Sequence, residues 1–468
     1  MQLSNFDDNF NNEISQLVQQ YEQAVKTNQS IFFNQDNFES IIAYYESRAE
    51  LDHAYHAVQK ALEVHNYSAM LWLKFAQLTF QIKDCDEALQ YLDKAEALDP
   101  SEIGIGLLRC EIYTFEGNYD KALELLQALE LKADKDDLPE IYLQFCDVYE
   151  DKSEYNKAYE YLKKCIIQDT TNEEAFSRIN YAADFNALHY DSLAFHQSLI
   201  ENEPYNFNAW YNLHYSYKAL DNLDKAIDAL EFALAIDEDE DFIYIELATL
   251  YHKTKQYDKA LAILSEMSTL FEDDEEMNML KAHNYFALEK YKMARYHYNR
   301  VIRIDPTHSE AYYHLGLTYQ QENKWDKAHQ SFEKAKELNN DQYDFLLAYA
   351  NSAIVLEEED VAMFTVLCAI DLMPIKSDAY ILLTKLLYDI DDLDGVYSYL
   401  DHAISLQKNN VAIRYAKVAA LLLQHKDKEA QIQLQELLAE DATHHTILFD
   451  IAPDLENNFI VQECLSNL

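Results

Sequence analysis

Sixteen histidines, six cysteines and several acidic runs are the residues of this chain able to do chemistry, and their spacing decides whether any act together. A zinc centre needs donors that converge at about 2.0–2.3 Å, which a sequence announces as Cys-x-x-Cys or as His-Glu-x-x-His on one helix face. Cys85, Cys110, Cys146, Cys165, Cys368 and Cys464 contain no such pair, and His444–His445 is an isolated doublet. Gly104 and Gly106 form a Gly-x-Gly, but no strand precedes them and no third glycine follows, so nothing there would cradle a pyrophosphate. Asp389, Asp391, Asp392 and Asp394 ahead of Gly395 resemble a calcium loop, yet Leu393 stands at the third ligand place and no glutamate at the twelfth. Gly-x-Ser-x-Gly elbows and phosphate loops are absent too. The sequence predicts no catalytic residue, no metal and no cofactor.

Charge narrows the partners. Thirty-seven basic against 84 acidic residues give a formal net charge of −47, which repels the phosphate backbone, so nucleic acid is not expected. The runs 237–241 (DEDED), 272–276 (EDDEE) and 357–360 (EEED) fall at expected turns, where charge is ordinarily solvated; their functional reading is attraction of a basic partner. The N-terminal stretch MQLSNFDDNFNNE is acidic and polar, and no run is apolar enough to span a bilayer. A cytoplasmic protein without a membrane segment, its thiols reduced and packed as small hydrophobes, is the expectation.

The elements that would position any site follow from a small residue that recurs through the chain. Ala54, Ala88, Ala122, Ala158, Ser192, Ala226, Ala260, Ala294, Ala328, Ala362, Val396 and Ala430 stand 34 residues apart, with one interval of 36 between 122 and 158. A period of this length marks stacked units too small to bury an apolar face alone. Residues 309–342 show the unit most clearly. Tyr312, Leu315, Gly316 and Tyr319 lie on one helical face, a polar run breaks it, and Trp325, Ala328, Phe332 and Ala335 begin a second. Small residues at Gly316 and Ala328 let two helices cross closely. Seven tyrosines share the place of Tyr319, and Pro100, Pro204, Pro306 and Pro374 each fall twelve residues after the recurring place, where a helix must have ended.

A 34-residue helical hairpin with these residues at these offsets resembles the tetratricopeptide repeat, best in Trp210, Leu213, Tyr217, Ala226, Leu230 and Ala233 and in the unit at 309–342. The resemblance implies an all-α fold, a right-handed superhelical α-solenoid of about twelve helix-turn-helix repeats, of the long bacterial type built from such repeats alone. Residues 1–34 are expected to cap the stack with a helix, 35–442 to form one continuous solenoid of twelve repeats, and 443–468 to cap its other end. Units with Ser192 and His196, with Val396, and with Arg414 and Lys417 are expected to be bent or loosened.

The resemblance also implies a function: a non-catalytic scaffold that binds a peptide segment or helix of another protein in the concave groove lined by the first helices. The expected groove residues are Tyr181, Tyr211, Tyr215, Lys218, His252, Met279, His283, Tyr313 and Gln320. The alternative is a chaperone or assembly factor that holds a basic client through its acidic surface. Self-association stays open. The carboxylate clamp found in some of these proteins is not expected, because Asn351 and Lys385 stand isolated at the corresponding places.

Overall fold

The computed structural model describes residues 4–27, 33–82, 84–185, 187–390, 392–407 and 409–466. Its described residues are helical and contain no strand. They form twelve helical hairpins, within two compact units, Met1–Asp237 and Glu238–Leu468. The first unit holds helix Ser4–Thr27 and hairpins 1 to 6; the second holds hairpins 7 to 12 and a C-terminal segment of short helices. Hairpin 9, Ser309–Gln321 with Trp325–Leu338, is representative.

Three residues suffice to reverse the chain within each hairpin because the first helix ends in a left-handed residue. Ala49, Gly117, Ser153, Ala187, Asp221, Lys255, Glu289, Asn323, Glu357 and His425 all have φ between 51° and 73°. The corresponding residues of hairpins 2 and 11, Lys83 and Asp391, lie outside the described residues. In hairpin 9 the Asn323 amide donates to the Gln320 carbonyl at 2.9 Å and the Lys324 amide to the Tyr319 carbonyl at 2.9 Å, a Schellman closure of the helix end. The recurring tyrosine thus supplies the carbonyl that terminates its own helix, and its ring supports the helix that returns. Lys121, Lys157, Lys225, Lys259 and Lys327, each one residue before the ladder alanine, lie 5.0 to 5.6 Å over the rings of Tyr113, Tyr149, Tyr217, Tyr251 and Tyr319.

The ladder itself is closed. All ten alanines are 0% exposed, and Ser192 and Val396 are 1% exposed. Gly316 lies against the Phe332 ring, so an added Cβ would come to 2.5 Å from it. In hairpins 3 and 4 a thiol takes the same small place and turns inward: Cys110 donates to the Ala122 carbonyl at 3.7 Å and Cys146 to the Ala158 carbonyl at 3.3 Å. Burial pushes the Cys110 thiol up to about 12, far from the thiolate range in which cysteine reacts.

Among the described residues the two helices of hairpins 5, 11 and 12 meet less extensively than those of the other hairpins, least of all in hairpin 5, which is the expected loosening, yet Ser192 and Val396 stay buried and polar contacts hold these units. Ser192 Oγ meets Ser216 Oγ at 2.9 Å and His196 Nδ1 at 3.3 Å, while Arg414 pairs with Glu440 at 2.6 Å and Lys417 with Asp401 at 2.7 Å. The two additional residues between hairpins 3 and 4 lengthen the connection 131–137 and leave Leu131 88% exposed, a bulge into solvent. Second helices end on a shared turn eleven residues past the ladder. There the carboxylates of Asp99, Asp169, Asp305 and Asp441 accept from both the amide and the hydroxyl of Ser101, Thr171, Thr307 and Thr443. These bonds hold the four carboxyl groups below their ordinary range.

At the ends, Val18 and Tyr21 of helix Ser4–Thr27 are buried, with Tyr21 edge-on to Phe33 and Phe38, whereas Val25 is exposed and Ala24 takes the inward place. The C-terminal segment comprises a turn at Ala442–Thr446, helix Ile447–Ile451, a turn at Pro453–Asn457 and helix Phe459–Ser466.

Two outcomes follow from this packing. Gly316→Ala gains helix propensity of about 1 kcal/mol but drives a methyl into Phe332, for a net loss of about 1–2 kcal/mol by chemical denaturation. Adding Phe332→Leu should restore it, since hairpin 7 has Ala248 and Leu264, both fully buried, at the same two places; an additive double variant would refute the contact. His196 is fully buried, with Nε2 lacking a hydrogen-bond partner, and burial pushes its imidazole down to about 4. The unfolded chain takes up the proton near pH 6.5 and the folded chain does not, so this residue's contribution to stability is present above 6.5 and lost as pH falls toward 4. The loss is on the order of 3 kcal/mol. His196→Leu, the residue most other hairpins use, should flatten the denaturation midpoint between pH 7 and 4 relative to the parent chain.

Candidate interaction face

A hairpin buries one face of its first helix against the second and leaves another open. In hairpin 9 the open face carries Tyr313, Leu317 and Gln320, the fifth, ninth and twelfth residues of the first helix, all half-buried, while Ala311, Leu315, Gly316 and Thr318 are buried. This spacing keeps three side chains on one stripe. The expected groove residues occupy these places, and each unit brings its own set together.

In the first unit, hairpin 5 (Glu173–Phe185 and His189–Asn202) carries Tyr181, and hairpin 6 (Phe207–Ala219 and Leu223–Ile236) carries Tyr211, Tyr215 and Lys218. Tyr181 is 55% exposed, with Phe185 beside it at a ring separation of 4.8 Å. The Tyr215 hydroxyl donates to Asp184 at 2.5 Å, which joins the first helices of neighbouring hairpins; burial and then that carboxylate push the phenol up to about 12. Lys218 lies 5.8 Å over the Tyr215 ring, and Tyr211 is parallel to Phe207 and 4.8 Å from the His214 ring. Tyr215 therefore serves packing between hairpins as well as the surface, Tyr211 and Lys218 meet side chains of their own helix, and Tyr181 faces solvent most.

In the second unit the set is more deeply engaged. Hairpins 7 and 8 begin with Asp241–Lys253 and Glu275–Ala287. His252 Nδ1 meets Asn284 Oδ1 at 3.1 Å, the His283 ring is 4.6 Å from His314, and Tyr313 stacks on Phe345 at 4.8 Å. Met279 is 8% exposed and belongs to a core cluster with Tyr298, Ala311 and Leu315, so its thioether fills space between hairpins and is withdrawn from the surface. Gln320 stays half-buried on the stripe. Burial, then the neighbouring His314 and His252, push the His283 imidazole down to about 3, so the His283 ring is neutral near pH 7. No three His, Cys, Asp or Glu side chains among the described residues are grouped so that they could hold a metal ion.

Two features of the second unit escape sequence reasoning. Helix Ile447–Ile451 packs on the first helices of hairpins 11 and 12, Ser377–Asp389 and Val411–Leu423, and buries Ile447, Leu448 and Ile451. The stripe of hairpin 12, Tyr415, Ala419 and Leu422, is buried in consequence, and Tyr415 donates to the Asp441 carbonyl at 2.8 Å. Beside this helix, Asn351 and Lys385 line one recess of about 500 Å³ with His444 and Asp450, although they lie 34 residues apart. The apolar spacing of Ile447, Leu448 and Ile451 was a signal that this segment needs a surface, but not which one.

The acidic loop near Gly395 is capping chemistry: Asp392 Oδ1 accepts the Gly395 amide at 3.0 Å and starts a second helix. Asp391 lies outside the described residues, as do the side chains of Leu393 and Asp394. Gly104 and Gly106 sit inside a first helix, Ile103–Phe115, packed against Leu73 and Leu129. No helix among the described residues is long and apolar enough to cross a membrane.

Comparisons with known proteins bear on the same repeat. Models of the tetratricopeptide repeat match residues 80–143, 217–283 and 309–342, and a TPR repeat model matches 282–323. The chain is similar to the TPR repeat-containing protein MJ1428 of Methanocaldococcus jannaschii, 24% identical over 312 residues, or 63% of this chain and 54% of that protein. The chain thus spans about half the length of that relative. It is also similar to the BBSome complex member BBS4 homolog of Drosophila melanogaster, 20% identical over 79% of this chain and 71% of the relative. Among solved structures it is similar to the Cut9–Hcn1 hetero-tetramer of the APC/C (14% identity, 97% of this chain and 98% of that one, TM-score 0.39). Yeast Tom70 is another (14%, 91% and 96%, TM-score 0.41). The period, the closed hairpin and the family models agree in both units that the chain carries tetratricopeptide repeats.

Proposed function

We propose that this chain is a non-catalytic scaffold or adaptor that holds a peptide segment or helix of another protein on the open stripe of its first helices. Proteins of this family mediate protein–protein interactions, and one structurally similar member, YrrB, is described as having a peptide-binding site. The observation that carries the reading is the exposed aromatic pair Tyr181 and Phe185, 55% and 54% accessible on one helix whose opposite face is closed by Ala175, Phe176, Ile179 and Ala182. Large apolar side chains at a surface usually mark contact with a partner when they are contiguous. Tyr211 and Tyr215 extend that surface, and in the second unit His252, His283, Tyr313 and Gln320 form the corresponding stripe. The core thiols, all free among the described residues, fit a cytoplasmic setting.

A second reading draws on the net charge of −47: a chaperone or assembly factor that holds a basic client by attraction over its whole surface. The two separate by place. A photo-crosslinking residue at position 181 should capture a discrete partner in cells of the source organism, whereas one at Glu160, 62% exposed on a second helix, should not. Equal capture from both positions, or capture lost entirely when salt is raised to about 0.5 M, would favour diffuse charge attraction and remove the stripe from the mechanism.

A further inference from the structure

The composition of the stripe changes along the first unit in a way that specifies a ligand. The ninth-place row reads Glu111 in hairpin 3 (first helix Ile103–Phe115), Asp147 in hairpin 4 (Leu138–Asp151, counted from Pro139), then Tyr181 and Tyr215. Carboxylates on one side thus run directly into aromatic faces on the other. The aromatic part is built from two hairpins: Tyr155, at the start of the second helix Tyr155–Gln168, stacks on Phe185 at 4.1 Å with an interplanar angle of 14°, and Tyr181 is edge-on to both.

Arg178 stands between the two parts and is already spent. Its guanidinium reaches Asp147 at 2.6 Å, Glu150 at 2.9 Å and Glu174 at 2.8 Å. Even so, Asp147 is held above its ordinary range, chiefly by burial and then, against the pull of Arg178, by Glu174 and Asp151. Glu111 is raised as well, by burial and by Asp147. Three carboxylates share one cation here, and a further cation is what the field lacks.

We infer that this face binds an extended basic segment of a partner protein, with arginine side chains laid over Tyr181 and Phe185 and against Asp147; the inference rests on the stripe being the partner-binding face. A guanidinium suits both halves, because it is planar enough to stack on a ring and forked enough to bond a carboxylate. Spacing follows from geometry. Packed helices lie about 8–10 Å apart and an extended chain advances about 3.4 Å per residue, so adjacent ninth-place side chains are met about every third residue. The ligand is therefore a segment of Arg-x-x-Arg form running across the helices.

The test uses the full chain and labelled synthetic peptides in fluorescence anisotropy. A peptide with arginine at every third position and Gly or Ser between should bind at least tenfold more tightly than one of identical composition with the arginines contiguous. Tyr181→Ala with Phe185→Ala should weaken it about tenfold, and Asp147→Asn by several fold. Asp239→Asn, in the acidic run of the second unit, should leave it unchanged, and circular dichroism should show each variant folded. Equal binding of spaced and contiguous peptides, or equal losses from Asp147→Asn and Asp239→Asn, shows capture by diffuse charge only and overturns the inference. A failed peptide with successful crosslinking at position 181 discards the basic ligand and keeps the binding face; failure of both discards the face too.

Discussion

The distance at which two helix backbones cross is the constraint from which the rest of this molecule follows. A side chain at the crossing sets how far apart the helices stand, and here it is almost always a single methyl, 0% exposed in every ladder alanine. Closeness of that kind leaves no room for choice on the partner helix. Phe332 packs against Gly316 where a Cβ would not fit, and the Cys146 thiol turns to the Ala158 carbonyl. Ser192 shows what a polar replacement demands. Its hydroxyl is buried, so it needs a partner, and Ser216 and His196 supply one. The neutral buried histidine that results is a stability term tied to pH, an indirect consequence of one oxygen atom in the ladder.

The turn is the second half of the same constraint. Helices that cross closely must be joined by a short link, and three residues reverse direction only if one adopts the left-handed region, which disfavours most side chains by about 1–2 kcal/mol. Only Gly117 among the described turn residues avoids that cost. The others are offset locally. The Schellman bonds satisfy carbonyls that would otherwise be left open, and where lysine precedes the ladder alanine it covers the tyrosine ring that supplies one of them. Of the 37 basic residues, these lysines have a structural assignment that composition alone does not reveal.

The hairpins were legible in the sequence and the exposure of the stripe was not, for one physical reason. A position at the helix crossing answers to a single demand, so the same residue type recurs and the period stands out. A position on the stripe answers to two, since it touches the next hairpin and also meets solvent or a partner. Tyr215 bonds Asp184, Tyr313 stacks on Phe345, and Met279 is drawn wholly inward, yet all three occupy equivalent stripes by spacing. Their exposure depends on the size and polarity of a neighbour about 30 residues away. For the same reason, Asn351 and Lys385 read as isolated letters and stand in one recess. The left-handed turns were invisible because all those described except Gly117 are filled with Ala, Ser, Asp, Lys, Glu, Asn or His, where a glycine would have announced them.

Net charge misleads in the same manner when it is treated as one quantity. At physiological ionic strength a charge is screened within about 8 Å, roughly one helix spacing, so a hairpin responds to its neighbours and scarcely to the total. Some of the acids have structural posts: Asp99, Asp169, Asp305 and Asp441 close the ends of second helices, and Asp274 caps the start of Glu275–Ala287 by accepting the Met277 amide. Asp273 is held by Lys281 at 3.2 Å and Arg300 at 2.5 Å, so part of the run at 272–276 is already neutralised. The stripe between hairpins 3 and 5 differs in kind. There one guanidinium is divided among three carboxylates beside exposed rings, so the surface carries a local deficit of positive charge that the total does not describe.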